Sequence, residues 1–298
     1  MGGGALPRRG HSDAVPWQAS ASVDIGSAII SATCAAPIIL TIDKAVVQAM
    51  AGTHGLFTGI GAGLAELVRR PHHLVRQVGF WMTVGVYGAT YTTANLMDTI
   101  CDRNLDPDDP NSDFIHGTAK LLCTTAVNMG SGVAKDAAFA RMFGANATST
   151  APTPPMTYGL FAFRDLLTIL GGFTLPPIVA SALSTSGTVE EHKAGAVAQV
   201  ISPMGMQLAC TPLHLGALNV YNAPTMPLGE RVADVGKTAP SAIPARMLRF
   251  CAAYGIGGLL NKALLKNGHE YLGTAYGSQG LKQQMVVKAT DENPSMTR

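Results

Sequence analysis

Apolar stretches of helix length recur along the whole of this chain, and little charge is left over to cover a water-facing surface. The stretches run from Ile25 to Thr41, continuing through Lys44, then over 78–97, 115–143, 158–183, 194–219 and 245–265. About 20 apolar residues carry an α-helix across a bilayer core, so most of these are long enough. In a chain of 298 residues, apolar residues make up 47% and charged residues only 13%, about half the usual share for a soluble globular protein. Mean hydropathy is +0.22, which fits helices with one semi-polar side. Gly, Ala, Ser and Thr lie inside the apolar stretches rather than between them, where helices packing without a hydrophobic driving force use small residues to approach closely. The expectation is an all-α integral membrane bundle of six transmembrane helices in three tandem hairpins, with both termini on the same side.

Between the stretches, the polar segments read as connectors. Cys101 to Phe114 is acidic and solvated, and its Asp102, Asn104, Asp106, Asp108 and Asp113 imitate a calcium loop only loosely. Pro107 stands where that loop needs glycine, and no Glu closes it. Asn146 to Met156 and Pro224 to Pro244 read as loops. The tail beyond Lys266 reads as polar, loop-like over Gly268 to Gly280 and mobile after that. Residues 52–67, too short to span, read as an interfacial helix. Their run Gly59-Ile60-Gly61-Ala62-Gly63 lacks the strand and the spacing of a dinucleotide fingerprint and reads as a helix-packing surface. The domain reading is therefore a polar segment 1–22, a membrane bundle 23–265 and a polar tail 266–298.

Several chemistries are set aside. A net charge of +2 without a basic stripe makes no case for nucleic acid. The five cysteines, Cys34, Cys101, Cys123, Cys210 and Cys251, show no C-x-x-C spacing and read as buried free thiols. His72-His73 and Glu190-Glu191-His192 lack the i, i+3 or i+4 spacing of metal ligands on a helix, so no metal or cofactor is expected. Gly236-Lys237-Thr238 has Arg231 where a phosphate-binding loop requires glycine. No nucleophile and base are paired, and the chain is not read as an enzyme. Near the start, Arg8 and Arg9 in an Ala/Ser setting faintly resemble a mitochondrial presequence, while the absence of an apolar core excludes a secretory signal. Leu6 stands where a myristoylation site needs Ser or Thr.

Ionisable residues inside apolar helices mark functional positions, because charge is costly there and faces a polar interior. Arg164-Asp165 is such a pair. Tyr87, Tyr91 and Asn95, four residues apart, share one helical face and read as either packing or a cavity lining. The stretch Cys210 to Asn222 holds Pro212 and, two residues on, His214, an ionisable side chain beside a proline hinge.

Layout repeats across the chain. Breaks at Thr41-Ile42-Asp43, Val133-Ala134-Lys135 and Pro212-Leu213-His214 are each followed by a connector and then an arginine: Arg76, Arg164, and Arg246 or Arg249. The repeat units are about 24–103, 115–184 and 194–265, suggesting a pseudo-threefold bundle. This organisation, with odd helices broken by Pro-x-acid and even helices entered through an arginine, resembles the mitochondrial carrier family. Thr211-Pro212-Leu213-His214 keeps the proline with His214 in place of the acid and Ala217 in place of the base. Thr41-Ile42-Asp43-Lys44 keeps the acid without the proline, and Val133-Ala134-Lys135-Asp136 has neither proline nor the family's charge order.

The resemblance implies a multi-pass protein of the mitochondrial inner membrane that exchanges a small anionic metabolite. Arg76, Arg164, Arg249, Tyr87 and Asn95 would bind substrate, and Asp43, Lys44, Lys135, Asp136, Pro212 and His214 would form the gate or hinge. Membrane lipid, cardiolipin included, would be a partner. The alternative is a carrier-derived structural subunit that has lost transport and joins other subunits of a respiratory-chain or ATP-synthase complex.

Overall fold

A computed structural model describes residues 15–106, 108–145 and 152–292, and every regular element among them is helical. Helix α1 spans Trp17–Met50, α2 Leu56–Arg69, α3 Pro71–Arg76, α4 Val78–Asn104 and α5 Ser112–Phe143. There follow α6 (Pro155–Ile169), α7 (Leu175–Thr185), α8 (Glu191–Gly205), α9 (Gln207–Asn222), α10 (Leu228–Phe250) and α11 (Leu259–Glu292). Short π-helical segments, Leu170–Thr174 and Cys251–Gly258, join α6 to α7 and α10 to α11. The all-α expectation is met.

Neighbours in the chain are neighbours in space. Helix α1 packs on α4, α4 on α5, α5 on α6, α6 and α7 on α9 and α8, and α9 on α10, while α11 and the π segment before it return to α1. Several hydroxyls inside these helices are satisfied locally. Thr41 donates to the Pro37 carbonyl at 2.8 Å, Thr83 to Gly79 at 2.8 Å and Thr90 to Val86 at 2.7 Å, which lets a polar side chain sit in an apolar helix without an outside partner.

Burial is partly inverted relative to a water-soluble domain. Phe57, Val68, Trp81, Phe114, Leu122 and Leu259 are exposed on the perimeter, while Asp24, Asp43, Lys135, Asp136, Arg164 and Arg246 are buried beside an apolar core. Lys, Arg and Asp are almost never fully buried unless paired, so this distribution fits an apolar surrounding and a polar interior. Two helical stretches among the described residues, Trp17–Met50 and Pro155–Thr185, are long and apolar enough to cross a bilayer. That is fewer than the six expected from the sequence.

Several connector readings are corrected. Residues 228–250 form α10, with Pro240 and Pro244 inside it, so Gly236-Lys237-Thr238 is helical. The expected loop at Gly268 belongs to α11. Its glycine is there for close approach, since a Cβ at Gly268 would lie 2.5 Å from Val23 Cγ1 on α1. The Pro176-Pro177 pair neither ends nor breaks the fourth stretch, because a π-helical segment precedes it and the prolines occupy the first turn of α7, where missing N–H groups cost least. In the fifth stretch the helix continues through Pro212 and is interrupted at Met206, three residues after Pro203. The connector 105–111 is shorter than expected; Pro107, residues 146–151 of the Thr/Pro loop, residues 1–14 of the N-terminal segment and the last six residues of the tail lie outside the described residues, as do the side chains of Glu191 and His192. Among the described residues no three His, Cys, Asp or Glu side chains are grouped to hold a metal ion. All five cysteines are free thiols, but only Cys101 and Cys210 are buried; Cys34, Cys123 and Cys251 lie on the perimeter.

The glycine-rich run is a packing surface. Helix α2 exposes Phe57 and Val68 and lies against α1, where a Cβ at Gly59 would sit 3.1 Å from the Ala45 Cβ and one at Gly63 would sit 2.5 Å from Thr41 Cγ2. Gly63→Leu is expected to lift α2 off α1 while the rest of the bundle stays folded. Limited proteolysis between Gly52 and Arg76 checks this, with faster cutting than in the wild type.

Candidate functional site

Seven charged side chains and one histidine from five helices meet inside the bundle. Asp43 comes from α1, Lys135 and Asp136 from α5, Arg164 and Asp165 from α6, His214 from α9, and Arg246 and Arg249 from α10; all are buried. Their positions follow from helical spacing. Lys135 reaches Asp43 on α1 and Asp136 reaches Arg164 on α6, while Asp165 pairs with Arg164 on its own helix, and Arg246 and Arg249 are three residues apart on one face.

Contacts run as a chain. Arg249 Nε lies 2.7 Å from Asp43 Oδ1. Lys135 Nζ donates to Asp43 Oδ2 and lies 3.0 Å from Asp136 Oδ1. Arg164 Nη2 donates to Asp136 Oδ2, and Arg164 Nε is 3.2 Å from Asp165 Oδ1. His214 Nδ1 approaches Asp136 Oδ2 at 3.9 Å, and its ring faces Phe161 with 5.3 Å between centroids. Phe139 lies under the Lys135 ammonium, 4.7 Å from the ring centre, and Tyr87 faces the Arg249 guanidinium at 5.9 Å. Each carboxylate therefore has at least one cation, and aromatic faces supply cation–π contact. Four helices, α1, α5, α6 and α10, are tied together by ion pairs whose partners have left water and depend on one another.

One side of this cluster is the wall of a cavity of about 90 Å³. Lys135, Asp136, Arg164, Asp165 and Arg249 line it together with Tyr87, Tyr91 and Tyr254 and the polar groups of Thr90, Asn128 and Thr168. Asp165 is one of the lining residues, and its Oδ2 is buried with no hydrogen-bond partner among the described residues.

Of the residues singled out in the sequence, Asp43, Lys135, Asp136, Arg164, His214 and Arg249 converge on the cluster, and Tyr87 lines the cavity. Four lie elsewhere. Arg76 is exposed on α3, so it is not the counterpart of Arg164 and Arg249 that the repeat layout suggests. Lys44 points outward from Asp43, with Nζ 5.4 Å from the centre of the Phe143 ring. Pro212 is half-buried on α9 with no part in the ion pairs. Asn95 belongs to a second polar layer: it exchanges hydrogen bonds with Asn261 at 2.9 and 3.1 Å and donates to the Asp24 carbonyl at 2.9 Å. There Asp24 accepts from Thr99 Oγ1 at 2.5 Å and meets His269 Nε2 at 2.9 Å, which joins α1, α4 and α11. Along α1, Asp24 and Asp43 are separated by about 28 Å of helix rise.

An apolar perimeter around a charged cavity is the arrangement of a helical membrane transport protein. Residues 27–268 match the family described as probable citrulline exporter, and the chain belongs to that family. Comparison with curated proteins and with solved structures gives no match. The family match overturns the resemblance to mitochondrial carriers. No repeat carries the salt-bridge motif of that family intact. Cardiolipin, partner subunits and the mitochondrial inner membrane, which leaned on that resemblance, draw no support from the match.

Asp136 is the carboxylate shared by Lys135 and Arg164, and removing it leaves both cations short of a partner. Asp136→Ala is expected to destabilise the folded protein by about 3–5 kcal/mol. Melting in detergent checks this against a perimeter control such as Leu122→Ala, which is expected to melt near the wild type.

Proposed function

We propose that the chain is a membrane exporter of a small zwitterionic amino acid of the citrulline type, and that its helices make six crossings: α1, α4, α5, α6 with α7, α8 with α9, and α10 with α11. The crossings in α4, α5 and α8–α11 carry more polar residues than a lone span tolerates. Those residues face the interior, where partners exist, while the apolar perimeter meets lipid. The bundle over 23–265 extends through α11 on this reading.

One observation carries the substrate class: Asp165 Oδ2, buried and unpartnered, shares a cavity with the guanidinium groups of Arg164 and Arg249. An α-amino acid carries an ammonium and a carboxylate one carbon apart. Asp165 suits the ammonium, Arg164 or Arg249 suits the carboxylate in a bidentate fashion, and Asn128, Thr90 and Thr168 offer donors and acceptors to a ureido group. The anionic metabolite expected from the sequence leaves the Asp165 acceptor without a role; a zwitterion uses both signs. Export requires the helices to part on one side of the cavity and then the other, and a bound ligand favours whichever state it contacts better. Ion pairs that line the cavity are the contacts a ligand can replace.

Proteoliposomes loaded with radiolabelled citrulline are expected to release it in a saturable manner. Asp165→Asn, which keeps the shape but loses the charge, is expected to lower melting, because Arg164 is left with Asp136 alone, and to slow release at least about tenfold in protein that remains folded at the assay temperature. Release no faster than from empty liposomes overturns the proposal.

A further inference from the structure

Arg246 is the largest fully buried side chain among the described residues, with 1% of its surface exposed. Among the described residues no carboxylate comes within salt-bridge distance of it, and its Nε and Nη2 have no hydrogen-bond partner. Arg164 and Arg249 repel it, and Asp43 and Asp136 attract it from farther than a salt bridge. Around it the cluster holds four permanent cations, Lys135, Arg164, Arg246 and Arg249, against three carboxylates, Asp43, Asp136 and Asp165. The other three cations have carboxylate partners at contact distance. The excess positive charge of the cluster is therefore Arg246. His214 adds to it when protonated and leaves it unchanged when neutral.

A buried arginine without a counter-ion is costly to keep, and packing alone does not account for it, since an apolar side chain of similar volume fills the same space. What Arg246 supplies is a positive potential behind the wall that Lys135, Arg164 and Arg249 present to the cavity. Building on the exporter reading, we propose that Arg246 sets substrate charge selectivity: its uncompensated guanidinium makes the cavity accept neutral zwitterionic amino acids and reject those with a cationic side chain. Citrulline and arginine are the sharpest pair for such a filter. They have the same length and branching and differ at the side-chain end, where a ureido oxygen replaces a guanidinium nitrogen and the positive charge is gone. A pocket that reads shape alone admits both. With an effective dielectric of about 20 and separations on the order of 10 Å, one uncompensated charge disfavours a cationic ligand by about tenfold.

The test is exchange in proteoliposomes loaded with citrulline, with external citrulline, arginine or ornithine offered in turn. Wild-type protein is expected to exchange citrulline at least about tenfold faster than arginine or ornithine. Arg246→Gln is expected to bring arginine to within about threefold of citrulline, and Arg246→Lys, which keeps the charge, is expected to hold the wild-type ratio. Wild-type protein that moves citrulline and arginine equally overturns the filter while leaving the exporter reading intact; wild-type protein that moves none of the three overturns that reading instead. A folded Arg246→Gln protein with unchanged selectivity overturns the assignment to Arg246. Where Arg246→Gln fails to fold, Arg246→Lys decides: retained rejection of arginine supports the filter, and admission of arginine overturns it.

Discussion

Everything in this bundle depends on where its charges are kept. Asp43, Lys135, Asp136 and Arg164 form a continuous string of ion pairs from α1 through α5 to α6, and Arg249 extends it to α10. None of these groups is tolerable alone in an apolar interior, so the helices that carry them must meet at one level and in one rotation. Packing then follows. Leu40, Phe80, Phe139, Phe161, Leu215 and Leu218 form the adjoining apolar core, and they are held in register by side chains that cannot slide without losing a partner. The same string forms part of the wall of the cavity, through Lys135, Asp136, Arg164 and Arg249.

Inverted burial links that cluster to a membrane setting. In water, exposed Phe57, Trp81, Phe114 and Leu259 form an aggregation-prone surface, and buried Asp, Lys and Arg reduce stability relative to apolar replacements. In lipid the first becomes the solvated face, and the second becomes a polar interior with an aqueous path. A second polar layer at Asp24, Thr99, Asn95, Asn261 and His269 closes the opposite end of α1, α4 and α11. The cavity is lined by the first of these layers and by none of the residues of the second.

Much of the charged site was legible in the sequence, because an ionisable residue inside an apolar run stands out at once. Arg164, Asp165 and His214 stand out on that ground, Asp43, Lys135 and Asp136 stand out as the helix-end charges of the repeat layout, and all meet in one place. What the sequence did not convey was rotation and depth. Arg76 occupies the same place in its repeat as Arg164 yet sits on a short exposed helix, because Pro71 starts a new helix and turns it outward. Asn95 shares a helical face with Tyr87 and Tyr91, but it lies one turn beyond Tyr91 and meets Asn261 instead of the cavity. Arg246 and Arg249 are equivalent in spacing, and only the fold distinguishes the one paired with Asp43 from the one left uncompensated. Pro240 and Pro244 are accommodated inside α10, and Gly268 inside α11 where it packs on Val23, so 228–244 and 266–292 are helical where connectors were expected. Family assignment was misread by the same route, since a layout of kinked hairpins with interior charge is a physical solution that unrelated chains share.

The buried ion pairs act as one unit binding α1 to α5, and the pair of Asp43 and Lys135 is its central link. A double-mutant cycle on this pair tests it most directly, with Asp43→Asn, Lys135→Met and the two combined compared by melting of the purified protein. If the two residues act as a unit, the double variant melts close to the less stable single variant, with a coupling energy above about 1 kcal/mol. Losses that simply add would contradict the account, because each side chain would then be held by the bundle independently of the other.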